Sequence, residues 1–272
     1  MREVIVDRDR CLQCGLCIDV CNRRVLMADG EGFPVIDPAT EHLCNECGHC
    51  GGVCPIQACV APGEKDTVYP LDSAKTIDFE QARQFILSCR SMRRYKEEPV
   101  SREAVTEILE IARRAPTGSN AQPIRWLVVS GRDKMRAISD MIIDWFDGNV
   151  RNDPELSKRY NVDWIVSRYR GGYDVIFRGA PNAAFAVTGP DARWGQEDSA
   201  IALTYFCLAA HAKNIGSCWC GFGMRAVNLY PPLRQYLNLS KTDVVRGIAF
   251  FGYPDIVYHA TAPRRPLKVE WL

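Results

Sequence analysis

The sequence predicts an α+β protein in which a small cysteine-rich module precedes a larger body. The chain has 272 residues and 47% hydrophobic content, which is enough for one main domain and one small one. Nine of the thirteen cysteines lie before residue 60. Beyond them, helical hydrophobic patterns and a few widely separated strand patterns favour α+β over regular βαβ winding. We expect the two domains to span residues 1–70 and 71–272.

Charge separates the same two parts of the chain. Residues 1–70 contain 6 Lys and Arg against 11 Asp and Glu, net −5, whereas the remainder contains 28 against 22, net +6. The formal net charge of +1 argues against nucleic acid as a partner. The longest apolar run, at 200–210, is too short to span a bilayer, so we expect a soluble, cytoplasmic protein with no membrane partner. In that compartment, clustered cysteines bind metal more often than they form disulfides.

Two cysteine runs share the spacing CxxCxxCxxxC. They consist of Cys11, Cys14, Cys17 and Cys21, and of Cys44, Cys47, Cys50 and Cys54. A loop with a thiol at every third residue can surround one centre with three sulfurs, whereas the fourth lies about 6 Å further along the following helix. Two runs can exchange their fourth sulfurs and so hold two [4Fe–4S] clusters. The expected ligand sets are Cys11, Cys14, Cys17 and Cys54, and Cys44, Cys47, Cys50 and Cys21.

Zinc is the alternative metal for these cysteines. Four-cysteine zinc sites usually combine two CxxC pairs across a longer gap, without a third cysteine at the same interval. Pro55, directly after Cys54, fits the bacterial ferredoxin run, although Asn22 stands where the first run would carry proline. The first part of the chain therefore resembles a bacterial two-cluster ferredoxin.

The larger body shows helix and strand signals in turn. Asp78 is placed to cap a helix over 78–89, and Ser101 to cap a second helix that Pro116 ends. A segment at 199–214, apolar on most faces, predicts a central buried helix. Strands are predicted at 125–130, 182–188 and 247–252.

The common nucleotide-binding motifs are not visible in this body. No GxGxxG follows a predicted strand, and there is no GxxxxGK[ST]. Residues 89–95 read CRSMRRY, in which Arg90, Ser91 and Arg93 offer two guanidinium groups and a hydroxyl that suit one phosphate monoester. Taken alone, such a run is more often a solvated basic turn.

Five short segments, in order, resemble the nitroreductase family of FMN enzymes. They are RSMRRYKEEPV, APTGSNAQP at 115–123, LAAHAKNIGSCWCGF at 208–222, GYP at 252–254 and RRPL at 264–267. The resemblance covers residues 76–268. The whole chain resembles the subgroup in which a ferredoxin domain precedes a nitroreductase domain, which implies a homodimer with FMN at its interface.

The resemblance also implies which residues contact FMN. The phosphate ligands would be Arg90, Ser91, Arg93, Arg264 and Arg265. The loop that reaches the flavin of the other subunit, with the glutamine after it, would be Pro116, Thr117, Gly118, Asn120 and Gln122. The contacts along the isoalloxazine ring would be Trp219, Cys220 and Gly221. We identify no general acid, so water is the candidate source of the second proton.

These patterns together predict a redox enzyme. An external low-potential donor would reduce the clusters, which would pass electrons to FMN for reduction of a flat, electron-poor small molecule such as a nitroaromatic, a quinone or an activated alkene. The aromatic-rich segment 141–178 would either roof the flavin or form a helical hairpin on the dimer. The alternatives are a flavin-consuming or dehalogenating enzyme of the same fold, and a non-enzymatic electron-transfer or docking protein.

Overall fold

The computed structural model describes residues 4–60 and 70–272, and the chain divides into two compact units. The first unit comprises Met1–Thr76 and Gly118–Ala121, and the second comprises Ile77–Thr117 and Gln122–Leu272. Residues 61–76, whose Pro, Gly and charged residues predict a linker, include 61–69, which lie outside the described residues. Within the described part of the chain, no helix has both the length and the apolar character needed to cross a bilayer.

The first unit is built from short elements. Its strands are β1 (Ile5–Val6), β2 (Leu26–Ala28), β3 (Pro34–Ile36) and β4 (Cys59–Val60), and its helices are α1 (Leu16–Asp19) and α2 (His49–Gly52). Strand β1 pairs with β4 and β2 with β3, both antiparallel. Each helix follows a left-handed glycine inside a cysteine run, Gly15 at φ 73° and Gly48 at φ 76°. Glycine adopts this φ without a side-chain clash, so both runs turn from loop to helix at the same point.

The second unit contains a four-stranded antiparallel sheet. Its strands are β5 (Arg125–Ser130), β6 (Asn182–Thr188), β7 (Gly216–Trp219) and β8 (Val244–Gly252), in the order β5-β6-β8-β7. Strands β5 and β6 occupy the predicted positions, and β8 begins three residues before its predicted start. The sequence does not predict β7, because its four residues lie in a glycine-containing segment that resembles a loop.

The second unit also contains helices. They are α3 (Phe79–Ser88), α4 (Arg102–Ala112), α5 (Arg132–Trp145), α6 (Pro154–Tyr160), α7 (Val162–Arg170), α8 (Gly195–Ala212), α9 (Gly223–Leu229) and α10 (Pro231–Tyr236). A π-helical turn, Phe146–Val150, follows α5. Helix α8 is the buried helix expected at 199–214, and it begins four residues earlier. Neither α5 nor α9 nor α10 is predicted from the sequence.

The predicted caps of α3 and α4 are confirmed. The Asp78 carboxylate accepts a 2.8 Å hydrogen bond from the Gln81 amide, and the Gln81 side chain accepts one from the Asp78 amide, which completes a capping box. Ser101 Oγ accepts from the Ala104 amide at 3.1 Å. None of the residues of α3 is buried, and Phe79 is 77% exposed, so the apolar face of α3 is uncovered in the single chain.

Two hydrophobic clusters lie on opposite faces of the sheet. Successive residues of a strand point to opposite faces, and Phe250 accordingly belongs to one cluster and Phe251 to the other. Residues of α5, α7 and α9 complete the cluster of Phe250, and residues of α4 and α8 complete that of Phe251. The nitroreductase-like α+β architecture expected of this part of the chain is therefore a sheet covered by helices on both faces.

Candidate functional site

Residues 90–96, called the strap below, run along the edge strand β7. The Met92 amide donates to the Ser217 carbonyl at 2.9 Å, and the Lys96 amide donates to the Tyr253 carbonyl at 2.8 Å. Tyr95 is buried, which raises the pKa of its hydroxyl, and that hydroxyl donates to the Met92 carbonyl at 2.6 Å. These contacts fix the backbone of the strap beside the strand that ends at Trp219.

A cavity of about 390 Å³, called the Trp219 cavity below, opens where the strap meets the end of β7. Four predicted cofactor residues line it, and these are Arg93, Trp219, Cys220 and Gly221. Trp219 is 44% exposed, so its ring offers an open, flat surface. The structure therefore brings one residue of the strap and three residues at the end of β7 to one cavity.

Gly221 and Cys220, both of which line the Trp219 cavity, differ in exposure. A Cβ atom built on Gly221 meets no other atom within 4 Å, so the backbone there faces open space. Cys220 is buried, and burial raises the pKa of its thiol to about 12. The raised pKa disfavours a thiolate nucleophile at this position.

The other arginines of the predicted phosphate site lie elsewhere. The Arg90 guanidinium is 6.0 Å from the centre of the Tyr258 ring, and the Tyr258 hydroxyl donates to the Ser91 carbonyl at 3.5 Å. Arg264 and Arg265 are exposed, and Arg264 donates to the adjacent Pro263 carbonyl. Among the described residues, no hydrogen bond or ion pair joins these C-terminal arginines to the strap. The phosphate site expected at these residues therefore stays a prediction.

The loop at 116–122 begins with the exposed Pro116, and its flanks line a second cavity, of about 180 Å³. Thr117 and Gln122 both line this cavity, and Thr117 Oγ1 accepts a 3.1 Å hydrogen bond from the Gln122 amide. Ser119, Asn120 and Gln122 have φ values of 54°, 55° and 44°. Three left-handed residues other than glycine in one loop are uncommon, and such strain concentrates at functional sites.

The centre of that loop is assigned to the first unit. Gly118 begins a 3₁₀ turn that ends at Asn120. Within the first unit, Asn120 Nδ2 donates to the carbonyls of Asn45 and Glu46, each at 3.0 Å. In the isolated chain, the Asn120 amide expected at a flavin therefore binds the backbone of the second cysteine run.

The eight cysteines of the two runs line two further cavities, both in the first unit. One small cavity is lined by Cys11, Cys14, Cys17 and Cys54. The other is lined by Cys21, Cys44, Cys47 and Cys50. Each group contains three cysteines of one run and the fourth of the other. Among the described residues, no three His, Cys, Asp or Glu side chains converge on a point as the ligands of a single ion do.

Backbone amides approach the sulfur atoms of these cavities. The Ala58 amide donates to Cys54 Sγ at 3.2 Å, and the Gln13 amide donates to Cys11 Sγ at 3.5 Å. Burial acts to raise the pKa of the Cys54 thiol, but the surrounding amides outweigh it and lower that pKa. Amide donors of this kind stabilise a thiolate, the form in which cysteine binds metal. Cys59 also lines the cavity of Cys11, Cys14, Cys17 and Cys54. A hydrogen bond with Cys50, together with burial, raises the pKa of the Cys59 thiol.

Residues 86–253 match the profile of the Nitroreductase family. The chain belongs to this family. Membership confirms the sequence-based prediction of a nitroreductase-type, FMN-dependent oxidoreductase, and it disfavours the alternative of a docking scaffold without enzymatic activity.

Relatives of this nitroreductase carry several names. A NADH dehydrogenase of Thermus thermophilus is 29% identical over 191 residues, which are 66% of this chain and 89% of that protein. A 4-nitrobenzoate reductase of Pseudomonas putida is 33% identical over 210 residues, which are 66% of this chain and 87% of that protein. A nitroreductase of Bacteroides fragilis with bound FMN shares the fold at 22% identity, with a TM-score of 0.57, over 70% of this chain and 99% of that one.

Tyr160 and Arg178 also line the Trp219 cavity of this nitroreductase. Tyr160 is one of the aromatic residues expected to roof the flavin or to form the hairpin, whereas sequence reasoning does not single out Arg178. Both belong to the aromatic-rich segment 141–178, for which a roof and a helical hairpin are the two expectations. Phe146 and Phe177 are fully buried in the core, while Tyr160 reaches the cavity from α6. The roof over a flavin and the hairpin on a dimer both stay predictions. The local signal near Arg178 is Asp174. An Asp side chain often accepts hydrogen bonds from the amides of the residues that follow it, which predicts a turn at this point of the chain.

Proposed function

We propose that this nitroreductase is an iron–sulfur flavoprotein that reduces flat, electron-poor organic molecules with electrons from an external low-potential donor. The observation that carries the proposal is the grouping of eight cysteines around two cavities, each lined by three thiols of one run and one of the other. Four thiolates form the usual ligand set of a [4Fe–4S] cluster. The first unit is accordingly proposed as a ferredoxin-like domain of about residues 1–70, and the remainder, 71–272, as the flavin domain.

The donor set fits the clusters because the sulfurs already receive amide hydrogen bonds. The Cys54 and Cys11 sulfurs each accept one. Hydrogen bonds to cluster sulfurs are among the factors that set the reduction potential. Gly15 and Gly48 carry no side chain, so the backbone beside the cysteines that follow them is open. A Cβ on either glycine would meet no atom within 4 Å.

The Trp219 cavity is the proposed FMN site. Arg93 supplies positive charge there, and Gly221 leaves backbone open to a ring edge. The fold of the FMN-bound Bacteroides fragilis protein supports the choice of cofactor. When bound, FMN exchanges single electrons for an electron pair. The remaining proposed contacts are Arg90, Ser91, Arg264 and Arg265 at the phosphate, and Pro116, Thr117, Gly118, Asn120 and Gln122 from the second subunit of a homodimer.

The names of two relatives bear on substrate and donor. The 4-nitrobenzoate reductase of Pseudomonas putida favours nitroaromatic substrates among the flat molecules considered. The NADH dehydrogenase of Thermus thermophilus favours NADH as a second candidate donor. The proposal places the main entry of electrons at the cysteine cavities, because a chain reduced by NADH alone has no use for eight ordered thiols.

Anaerobic stopped-flow measurement of flavin bleaching distinguishes the two donors. Reduced ferredoxin should bleach the flavin faster than NADH or NADPH, and Cys54→Ser should slow bleaching by ferredoxin while leaving bleaching by NADPH unchanged. Cys89→Ser, outside both runs, is the matched control. Faster bleaching by NADPH than by ferredoxin, or equal ferredoxin rates in Cys54→Ser and the wild type, would contradict the proposal.

A further inference from the structure

A second cation lines the Trp219 cavity besides Arg93. Arg178 lines the cavity together with Tyr160, Trp219 and Phe222. None of the described residues that line the cavity carries a carboxylate. Nor does any Asp or Glu of the described chain form an ion pair with Arg178. The cavity therefore combines aromatic residues with two arginines, and none of its described lining residues supplies a compensating carboxylate.

The backbone holds Arg178 in an uncommon conformation. Its φ is 57°, in the left-handed region that bulky residues rarely adopt. The Asp174 carboxylate braces the surrounding loop, since it accepts hydrogen bonds of 2.9–3.0 Å from the amides of Ile176, Phe177 and Gly179. Strain of this kind persists where the surroundings enforce it and is concentrated at sites of function.

The side chain of Arg178 is also oriented before any ligand binds. Nη1 donates to the Tyr173 hydroxyl at 2.8 Å, and the guanidinium carbon lies 5.2 Å from the centre of the Tyr173 ring. This pair of contacts restricts the rotamers of a long side chain, while the other donors of the fork stay available within the described chain. A planar, oriented fork beside aromatic rings matches an aromatic ring that carries a carboxylate.

We propose that Arg178 binds the carboxylate of an aromatic acid in the Trp219 cavity, and so selects aromatic acids among the flat substrates. The inference rests on the proposed function, in which Arg93 belongs to the FMN site and Arg178 does not. An anionic ring substituent held at Arg178 leaves the rest of the ring to stack on the aromatic walls. Neutral flat molecules would enter the same cavity without this anchor.

Binding to the oxidised holoprotein tests the inference with two matched probes. Benzoate and benzamide have the same shape and differ in charge, and their dissociation constants are measured from the change in flavin absorbance. Arg178→Gln should weaken benzoate binding roughly 10- to 100-fold and leave benzamide within about twofold, because it removes only the charged hydrogen bonds. Arg178→Lys should restore part of the affinity for benzoate. Arg168→Gln, an exposed arginine of the same segment, is the control and should change neither constant.

Three outcomes would overturn this inference and leave the proposed function standing. Arg178→Gln could lose FMN, or it could weaken the binding of benzoate and benzamide equally. The third is a wild-type protein that binds no benzoate although nitrobenzene reoxidises its reduced flavin. The first would assign Arg178 to the cofactor. A wild-type protein that binds no FMN at all would overturn the proposed function, and this inference with it. FMN content and reoxidation by nitrobenzene are therefore measured on every preparation.

Discussion

The backbone amide of Met92 donates a 2.9 Å hydrogen bond to the carbonyl oxygen of Ser217, so the strap extends the sheet beyond its edge strand. Arg93 follows Met92 in the chain, and Trp219 lies two residues beyond Ser217. One backbone contact thus brings together two segments that are far apart in sequence. It accounts for the presence of Arg93 and Trp219 in one cavity.

A side chain at Gly216 should disturb this contact. A Cβ built there lies 2.6 Å from Met92 Cγ and 2.7 Å from Met92 Cβ. Because Met92 is buried and bonded through its backbone, Gly216→Ala forces the strap to shift. We expect the free energy of unfolding to fall by about 1–3 kcal/mol and FMN binding to weaken, as measured by urea unfolding and flavin titration.

Gly148→Ala is the control for this substitution. A Cβ at Gly148 meets nothing within 4 Å, and the residue is exposed in a helical turn, so FMN affinity should not change and the free energy of unfolding should stay the same or rise by up to about 1 kcal/mol. If Gly216→Ala behaves like Gly148→Ala, the strap does not depend on close packing against β7.

Gly221 allows a test of the cofactor site that spares the fold. Since a Cβ there meets no atom within 4 Å, Gly221→Leu should leave the unfolding temperature of the flavin-free protein unchanged. The larger side chain occupies space beside the cavity and should raise the dissociation constant of FMN about 10-fold or more, equivalent to about 1.4 kcal/mol. Gly189→Ala, also exposed and open, is the control. Unchanged FMN affinity in Gly221→Leu would remove Gly221 from the site.

The caps and the hydrophobic pattern made much of the second unit predictable. Asp78 and Ser101 mark the starts of α3 and α4 because each side chain accepts an amide hydrogen of the first turn, which depends on local sequence alone. Strand β7 has no comparable local signal. Its four residues form a strand because β8 lies on one side and the strap on the other, and both are distant in sequence.

The residues of the candidate site that belong to a family motif were predictable from the sequence. Residues that reach the cavity only through the tertiary structure were not. The family resemblance indicated Arg93 and Trp219, and the structure places both at one cavity. Arg178 could not be inferred, because its left-handed φ and its place in the cavity depend on the bracing by Asp174. Arg264 was expected beside the strap, and no contact within the described chain brings it there.

Double substitutions test the exchange of the fourth cysteines. If Cys54 and Cys11 hold the same cluster, Cys11→Ser with Cys54→Ser should remove about four of about eight iron atoms, whereas Cys44→Ser with Cys54→Ser should remove nearly all of them. Iron and acid-labile sulfide are measured after anaerobic purification. The reverse pattern would mean that each run binds its own cluster without exchange. Cys89→Ser, outside both runs, should leave the iron content unchanged.

Alkaline pH should destabilise the second unit through Cys220. Burial raises the pKa of this thiol from 9.0 to about 12, so the folded state keeps its proton while the unfolded state loses it. The contribution of the protonated Cys220 thiol to stability is fully present below pH 9. As the pH rises from 9 toward 12, the free energy of unfolding should fall by at most about 1.4 kcal/mol per pH unit. Urea unfolding at several pH values, under reducing conditions, measures this slope.

Cys220→Ala should have a shallower alkaline slope than the wild type, whatever its stability at neutral pH. The comparison isolates this thiol, because the other groups that titrate above pH 9 remain in both proteins. An identical slope in Cys220→Ala and the wild type would show that Cys220 ionises equally in the folded and unfolded states.

The composition of protein purified without oxygen tests the central claim most directly. Iron, acid-labile sulfide and released FMN are quantified per chain, with zinc measured in the same samples. The account predicts about eight iron atoms, about eight sulfides and about one FMN for each chain. Zinc in place of iron without acid-labile sulfide, or the absence of flavin, would contradict it.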